Sequence, residues 1–555
     1  MLYIFISLML LIVLFCAFSR AEYFEKTNDG GILPLKNGFL KIQICAPKIV
    51  RVIFAQEKSF LSRQSLIAKK DWPSVNWELH DEAYELIYET DVLKVRVNKI
   101  SGAVAFLEKP GKILLKENER APHGMVAADV PGEKTWRAEA RFLLSDDEGI
   151  YGLGQYQDGI MNYRGHDVLI VQANKVAVNP FLISTKNYGI LWDNYSKTKF
   201  HDSADGMTFW SEVADQVDYY FVAGGNMDDV IAGYREITGV APMFGKWAFG
   251  YWQSKERYVD RGELVATTAE YRRREIPIDN MVQDWRYWGD NDHWSSMYWD
   301  ETIFPNPAKM IRQLHEKYHV HLMVSIWPVL GSKTKLHKEL KSQDLLFDNE
   351  HWSGGDVYDP YSDEARAIYF KHIKKGLLSA GVDALWMDGT EPEFPSTDTQ
   401  EITEKEIKDC GSNALGSMAR YLNTFSYMTT KGTYEGQRNL TSKKRVFTLT
   451  RSSFAGQQKH AAVTWSGDVS ANWDVFRKQI SAGINFCMAG IPYWTHDIGA
   501  FFPSGRGGLY NQGVDDPAYR ELYVRWFQFG AFTPIFRSHG TGTPREVWQF
   551  GQPGD

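Results

Sequence analysis

Cysteine is scarce in this chain of 555 residues, which holds only 4. Cys16 falls in an apolar N-terminal run, and Cys45, Cys410 and Cys487 lie far apart with no CxxC pair. That spacing excludes a disulfide framework and a cysteine-based metal site, and leaves buried free thiols. No histidine group at metal-ligand spacing takes their place. The close pair His319 and His321 enters an apolar, strand-like run and reads as local packing, so neither a metal nor a cofactor is expected. Basic runs are missing as well. With a formal net charge of −7 the chain is poorly suited to a nucleic acid or any other polyanion. There is no internal repeat and no low-complexity linker, which argues against a solenoid. The one long apolar run covers residues 1–18 and is followed by Ser19-Arg20-Ala21. It reads as a signal peptide cut after Ala21, giving a secreted or periplasmic protein with no stable membrane insertion; an uncleaved anchor formed by residues 1–18 is the rival.

What the chain has in quantity is aromatic side chains. They make up 14% of it and include 19 Trp, within an otherwise ordinary 44% hydrophobic and 24% charged composition. Flat apolar rings on this scale suit a protein that stacks sugars, and equally a large aromatic-rich core.

The hydrophobic pattern changes period once. From about residue 38 to residue 220, short β-rich runs such as "FLKIQIC", "IVRVIFA" and "VDYYFVA" are separated by Gly, Asn, Asp and Lys turns, the pattern of an antiparallel sandwich. From Lys246 onward strands alternate with helical stretches over some 300 residues, which predicts an α/β fold of the (β/α)8 barrel type. The division is therefore a signal peptide at 1–21, a β-sandwich domain at 22–240 and a barrel at 241–555. Seven barrel strands are counted, the last in "IPYWTH". The barrel is thus expected to be truncated before its eighth strand, with Trp252 and Trp494 exposed at the two sides of a gap.

Barrel sites gather where strands end and βα loops begin. The residues there are Asp284, Trp327, Asp388, Arg451, Asp468 and Asp497. Any one of the acids has an ordinary explanation as a helix cap or turn. Four together, flanked by Trp285, Trp386, Trp465 and Trp494, are more than independent caps would produce. Carboxylates facing one cavity with aromatic walls suit glycoside cleavage, in which one acid attacks or activates and the other protonates the leaving oxygen.

These segments carry a resemblance. "WMDGTEPE", "LTRSSFAGQQKHAAVTWSGD", "QDWRYWG" and "FRSHG" resemble the signatures of glycoside hydrolase family 31, and among its members those of the α-xylosidases, from about residue 35 to the end of the chain. The resemblance implies Asp388 as nucleophile, Asp468 as acid/base, Arg451 as a substrate-binding residue, and Asp284 and His539 at the hydroxyls of the non-reducing sugar. Trp327, Trp386, Trp465 and Asp497 complete the expected substrate-binding set. Glu391 and Glu393 are rivals for either catalytic role, but they lie beyond the strand in a Pro-containing loop and are read as orienting or solvent-facing groups. "YGLGQYQDGIMNYRG" resembles an N-terminal domain loop that reaches over the pocket. The implied activity is retaining, exo-acting hydrolysis that releases α-linked xylose from xyloglucan-type oligosaccharides. An α-glucosidase and a glycan-binding relative without catalysis are the alternatives. Retention requires carboxyls about 5–5.5 Å apart, with Asp468 protonated beside apolar Trp465 and Asp388 held ionised by Arg451.

Overall fold

Alternation of apolar and polar residues builds the N-terminal sheets of this computed structural model, which describes residues 24–62 and 64–551. The expected signal or anchor segment lies outside the described residues. An eight-stranded antiparallel sheet includes Gly38–Ala46, Ile49–Ala55, Ile150–Gln155, Ala177–Ser184 and Val217–Ala223. A ten-stranded sheet includes Leu93–Asn98, Val104–Glu108, Trp136–Leu143 and Gly206–Ala214. They pack face to face through aromatic rings: Phe106 stacks on Phe221 at 3.9 Å and Trp192 on Phe209 at 5.5 Å.

The two sheets differ in what covers their outer faces. Along Trp136–Leu143 every second residue is buried, as in a sheet with one wet side. Along Ala177–Ser184 every residue is buried, because the barrel covers the second side. Gly152 N–H donates to Asn485 Oδ1 at 2.9 Å and Asn179 Nδ2 to the Ala489 carbonyl. The eight-stranded sheet is therefore a middle layer, fixed to the barrel from behind.

The barrel strands are β1 (Tyr251–Gln253), β2 (Asn280–Gln283), β3 (His321–Ile326), β4 (Ala384–Met387), β5 (Thr448–Thr450), β6 (Ala462–Trp465), β7 (Trp494–Thr495) and β8 (Phe536–Ser538). Helices α1 (Arg261–Arg273), α2 (Pro307–Tyr318), α3 (Asp363–Gly376), α4 (Phe425–Leu440), α5 (Trp473–Met488) and α6 (Pro517–Gly530) lie between them, and β5 joins β6 through a single 3-10 turn. Asp260 and Asn472 cap α1 and α5 by accepting from the backbone N–H three residues on.

The strand count from sequence needs correction. The sheet has eight parallel strands in the order β7-β6-β5-β4-β3-β2-β1-β8. An Ile498–Ser538 bridge, and a 2.8 Å hydrogen bond from Thr495 Oγ1 to the Ile535 carbonyl, bring β7 and β8 together. The unrecognised strand is "FRS" of the "FRSHG" segment. Trp252 and Trp494, expected at the rims of a gap, are 1% and 2% exposed. Cys45, Cys410 and Cys487 are free thiols, the first buried and the others half-buried. No helix among the described residues is long and apolar enough to cross a membrane.

Candidate active site

Two glycines set the positions of the two leading carboxylates. Asp388 follows β4, and its Oδ1 accepts from Gly389 N–H at 2.7 Å. Gly389 has φ +63°, and a Cβ there would meet the Trp327 ring at 2.7 Å; only glycine lets that indole lie against the backbone beside Asp388. Asp468 lies three residues beyond β6. Gly467 before it has φ +79°, and a Cβ would strike the backbone nitrogen of Lys175. The close approach brings Asn174 of the N-terminal domain onto Asp468: Asn174 Nδ2 donates to Oδ2 at 2.7 Å, and Asp468 N–H donates back to Asn174 Oδ1 at 2.9 Å.

Arg451, after β5, joins the two. Its Nε and Nη2 grip Glu391 at 2.7 and 3.1 Å, and Nη2 also pairs with Glu393. That clamp aims Nη1 between Asp388 Oδ1 at 3.3 Å and Asp468 Oδ2 at 3.5 Å. Two oxygens so close to one nitrogen can be no further apart than those two distances end to end, which only just enters the roughly 6.5–9.5 Å used by inverting carboxyl pairs, and any bend at Nη1 brings them nearer the roughly 5–5.5 Å of retaining ones.

These groups border a cavity of about 560 Å³. Asp284, Trp327, Trp386, Asp388, Arg451, Asp468 and His539 all line it. Asp284 Oδ2 is 3.8 Å from His539 Nε2, and His539 Nδ1 shares a 2.7 Å hydrogen bond with Ser254 Oγ. The imidazole stands edge-on to Trp386 at 4.8 Å. Burial, with the Arg537 and Arg545 charges adding to it, holds His539 well below its ordinary pKa and hence neutral.

Burial and crowding act on the carboxylates in the opposite sense. Asp284 is pushed well above the usual carboxylate range by burial and then by the Asp388 charge. Asp388 is pushed up by burial, with Arg451 pulling against it and Asp468, Glu393 and Glu391 adding to the rise. The expectation that Arg451 simply holds Asp388 ionised is therefore incomplete, because its one guanidinium is shared among four carboxylates. Glu393 is half-buried, and desolvation raises it too, yet Arg451 and His351 outweigh that and lower it to about 2.

Trp465 and Asp497 are placed differently from the sequence reading. Both are fully buried and neither lines the cavity. Trp465 packs edge-on beneath Trp386 at 5.3 Å. Asp497 is the counter-charge of buried Arg537, whose guanidinium lies 4.9 Å from the Trp386 ring centre; burial raises Asp497 to about 7 against the pull of Arg537. They support the wall that the substrate would touch. The loop of residues 151–165 does not line the cavity either. Its Gln155 braces the barrel from behind, donating to the Trp465 carbonyl at 3.0 Å and accepting from Trp494 Nε1 at 2.5 Å.

Sequence reasoning missed Asn174, Trp294, Trp352 and Arg506, all of which line the cavity. Trp352 is 51% exposed, stands edge-on to Trp294 at 5.1 Å and donates to Glu393 Oε1 at 2.8 Å. The "HW" of the loop after β3 was an available signal for it. Asn174 had none, because its place depends on the contact between domains.

Comparison with known proteins agrees with this architecture. A model of the glycosyl hydrolases family 31 TIM-barrel domain matches residues 241–554, and one of the glycosyl hydrolase 31 N-terminal galactose mutarotase-like domain matches residues 39–201. An alpha-xylosidase of Saccharolobus solfataricus is 38% identical over 528 residues, covering 92% of this chain and 68% of that protein. The crystal structure of a GH31 alpha-xylosidase from Xanthomonas citri superposes with a TM-score of 0.88 at 28% identity, covering 96% of this chain and 75% of the other. A GH31 alpha-xylosidase from a soil metagenome, complexed with xylose, gives 0.85 at 28% identity, covering 95% and 82%.

Proposed function

Because the chain belongs to glycoside hydrolase family 31, we propose that this glycoside hydrolase is a retaining, exo-acting α-xylosidase that removes α-linked xylose from xyloglucan-type oligosaccharides. The observation that carries the reading is the convergence of Asp388 and Asp468 on Arg451 Nη1 at the cavity wall. Asp388 attacks the anomeric carbon as the bond from that carbon to the glycosidic oxygen breaks, and Asp468 gives its proton to the departing oxygen. Asp468 then takes a proton from water, which attacks the glycosyl-enzyme and frees Asp388. Asp284, Arg451 and neutral His539 bind sugar hydroxyls, while Trp327 and Trp386 offer flat faces to the ring. Glu391 keeps Arg451 in place and does not itself react.

The choice of sugar rests on steric grounds. Xylose lacks the hydroxymethyl group of glucose, and Trp285, Trp294 and Trp327 crowd one side of the cavity. Such discrimination by volume is modest, about 1–3 kcal/mol per group. In this reading residues 22–240 form the sandwich domain, residues 241–555 the catalytic barrel, and cleavage after Ala21 releases the enzyme outside the cytoplasm. The test is turnover of aryl α-xyloside against aryl α-glucoside, with the xyloside expected to have the larger kcat/KM. Preference for the glucoside would make the protein an α-glucosidase, and turnover of neither would favour a glycan-binding relative.

A further inference from the structure

At the opposite end of the barrel from the sugar cavity, three ligand-type side chains meet near the surface. His315 lies in the last turn of α2, His321 is the first residue of β3, and Asp383 immediately precedes β4. β3 and β4 are parallel neighbours with Met323 opposite Ala384, so the approach to β4 brings Asp383 beside the start of β3. His319 at the C-cap of α2 is left-handed, φ 52°, and turns the chain back so that His315 and His321 face one carboxylate. The sequence pairs His321 with His319; the structure pairs it with His315. One nitrogen from each ring and a carboxylate oxygen lie within 4.8 Å of one another, the one such group of three among the described residues.

Hydrogen bonding leaves one ring nitrogen of this cluster, His321 Nδ1, unsatisfied. Asp383 Oδ2 accepts from Leu322 N–H at 3.0 Å and lies 2.7 Å from His315 Nε2. Asp383 Oδ1 faces His321 Nδ1 at 3.3 Å. That nitrogen is buried and, not being aligned on the oxygen, has no hydrogen-bond partner among the described residues. Trp247 holds the His321 ring in this orientation by stacking on it, centroids 4.5 Å apart and planes 25° apart. The two imidazole side chains remain 33% and 36% exposed, so solvent reaches the cluster.

The spacing suits a small tetrahedral ion. Bonds of about 2.0–2.2 Å to imidazole nitrogen and carboxylate oxygen put the ligand atoms of such an ion roughly 3.3 Å apart. His321 Nδ1 and Asp383 Oδ1 already have that separation; His315 Nε2 bonds the other oxygen, Oδ2, at 2.7 Å, and a turn of the His315 ring brings three ligand atoms that already lie within 4.8 Å of one another around one ion. Two imidazoles and one carboxylate suit zinc-like cations better than magnesium or calcium, which take oxygen ligands. Leu322 N–H supplies the outer hydrogen bond that orients the carboxylate.

The geometry points to a binding site for a divalent first-row cation of the zinc class, formed by His315, His321 and Asp383 and completed by water. It ties α2, β3 and β4 together on the face remote from glycoside cleavage, so its role is structural.

The test uses the full chain, stripped with a chelator and titrated with Zn2+ by calorimetry and thermal melting. One Zn2+ per chain and a raised Tm are expected. His315→Gln and His321→Gln should each weaken binding by more than the roughly 10- to 100-fold that loss of an outer partner costs, while glycoside turnover stays at the wild-type level. Asp383→Asn keeps an acceptor for Leu322 N–H and should lose Zn2+ in the same way, and melting of each metal-free variant reports that it is folded. Absence of stoichiometric uptake by the stripped wild type, or equal uptake by folded His315→Gln and His321→Gln, overturns the proposal.

Discussion

The two ends of the barrel interior treat tryptophan in opposite ways. Toward the N-terminal end of the strands, Trp252 donates its indole N–H to the Ala248 carbonyl at 2.9 Å and stacks on Phe447 at 4.8 Å, with Phe244 packed on Phe447 and Tyr493 at 4.8 and 4.2 Å. Toward the C-terminal end, Trp294, Trp327 and Trp386 have buried indole nitrogens with no protein partner among the described residues. Carboxylates crowd the same end, four of them around Arg451. An unpaired buried donor costs about 1–3 kcal/mol, so stability alone would favour the first arrangement at both ends. The difference sets an end packed for stability against one that keeps polar groups unsatisfied around the cavity, as the proposed sugar site requires.

That contrast predicts which substitutions alter chemistry and which alter folding. The largest effect belongs to Asp388→Ala. Steady-state turnover should fall by roughly 10⁴-fold or more, while xylose binding measured by calorimetry persists because the walls remain. Asp468→Ala comes next. It should slow cleavage of oligosaccharides by about 10²–10⁴-fold and of substrates with acidic phenol leaving groups much less, since only the former need the proton; equal losses would remove Asp468 from that role. At the other end, Trp252→Ala should cost about 3–5 kcal/mol in chemical denaturation with unchanged turnover per folded molecule, and a primary loss of kcat without a loss of stability would break the comparison.

A smaller effect is expected in pH dependence. Burial and its carboxylate neighbours raise Asp388, and the nucleophile must be ionised. The acid limb of kcat/KM should therefore lie above the ordinary carboxylate range, with activity rising as pH rises through it. Glu393 is one of the charges that raise Asp388. Glu393→Gln should accordingly move the limb to lower pH, and a move to higher pH would show that Glu393 acts mainly by positioning Arg451.

Much of this was legible in the sequence because it follows local periodicity. The sandwich is visible in period-2 runs such as the one within Gly38–Ala46, and the strand-end rule places Asp284, Trp327, Asp388, Arg451 and Asp468 at the cavity. β8 was not legible. It is three residues long, and two of them are polar groups buried by specific partners, Arg537 by Asp497 and Ser538 by Tyr523. No apolar run announces such a strand. The rule also misplaced Trp465 and Asp497, because the end of a strand does not tell which layer of the barrel a side chain occupies. Asn174 was missed because its partner Asp468 is distant in sequence, and His315 because Asp383, which links it to His321, is also distant.

The account turns on Asp388 and Asp468 acting as a retaining pair, and the stereochemistry of the first-formed product tests that most directly. Proton NMR should be recorded during rapid hydrolysis of an aryl α-xyloside, before mutarotation mixes the anomers. Double displacement predicts that α-xylose forms first and the β-anomer grows in only later; β-xylose as the initial product would mean that water attacks directly, and that Asp388 is not a nucleophile.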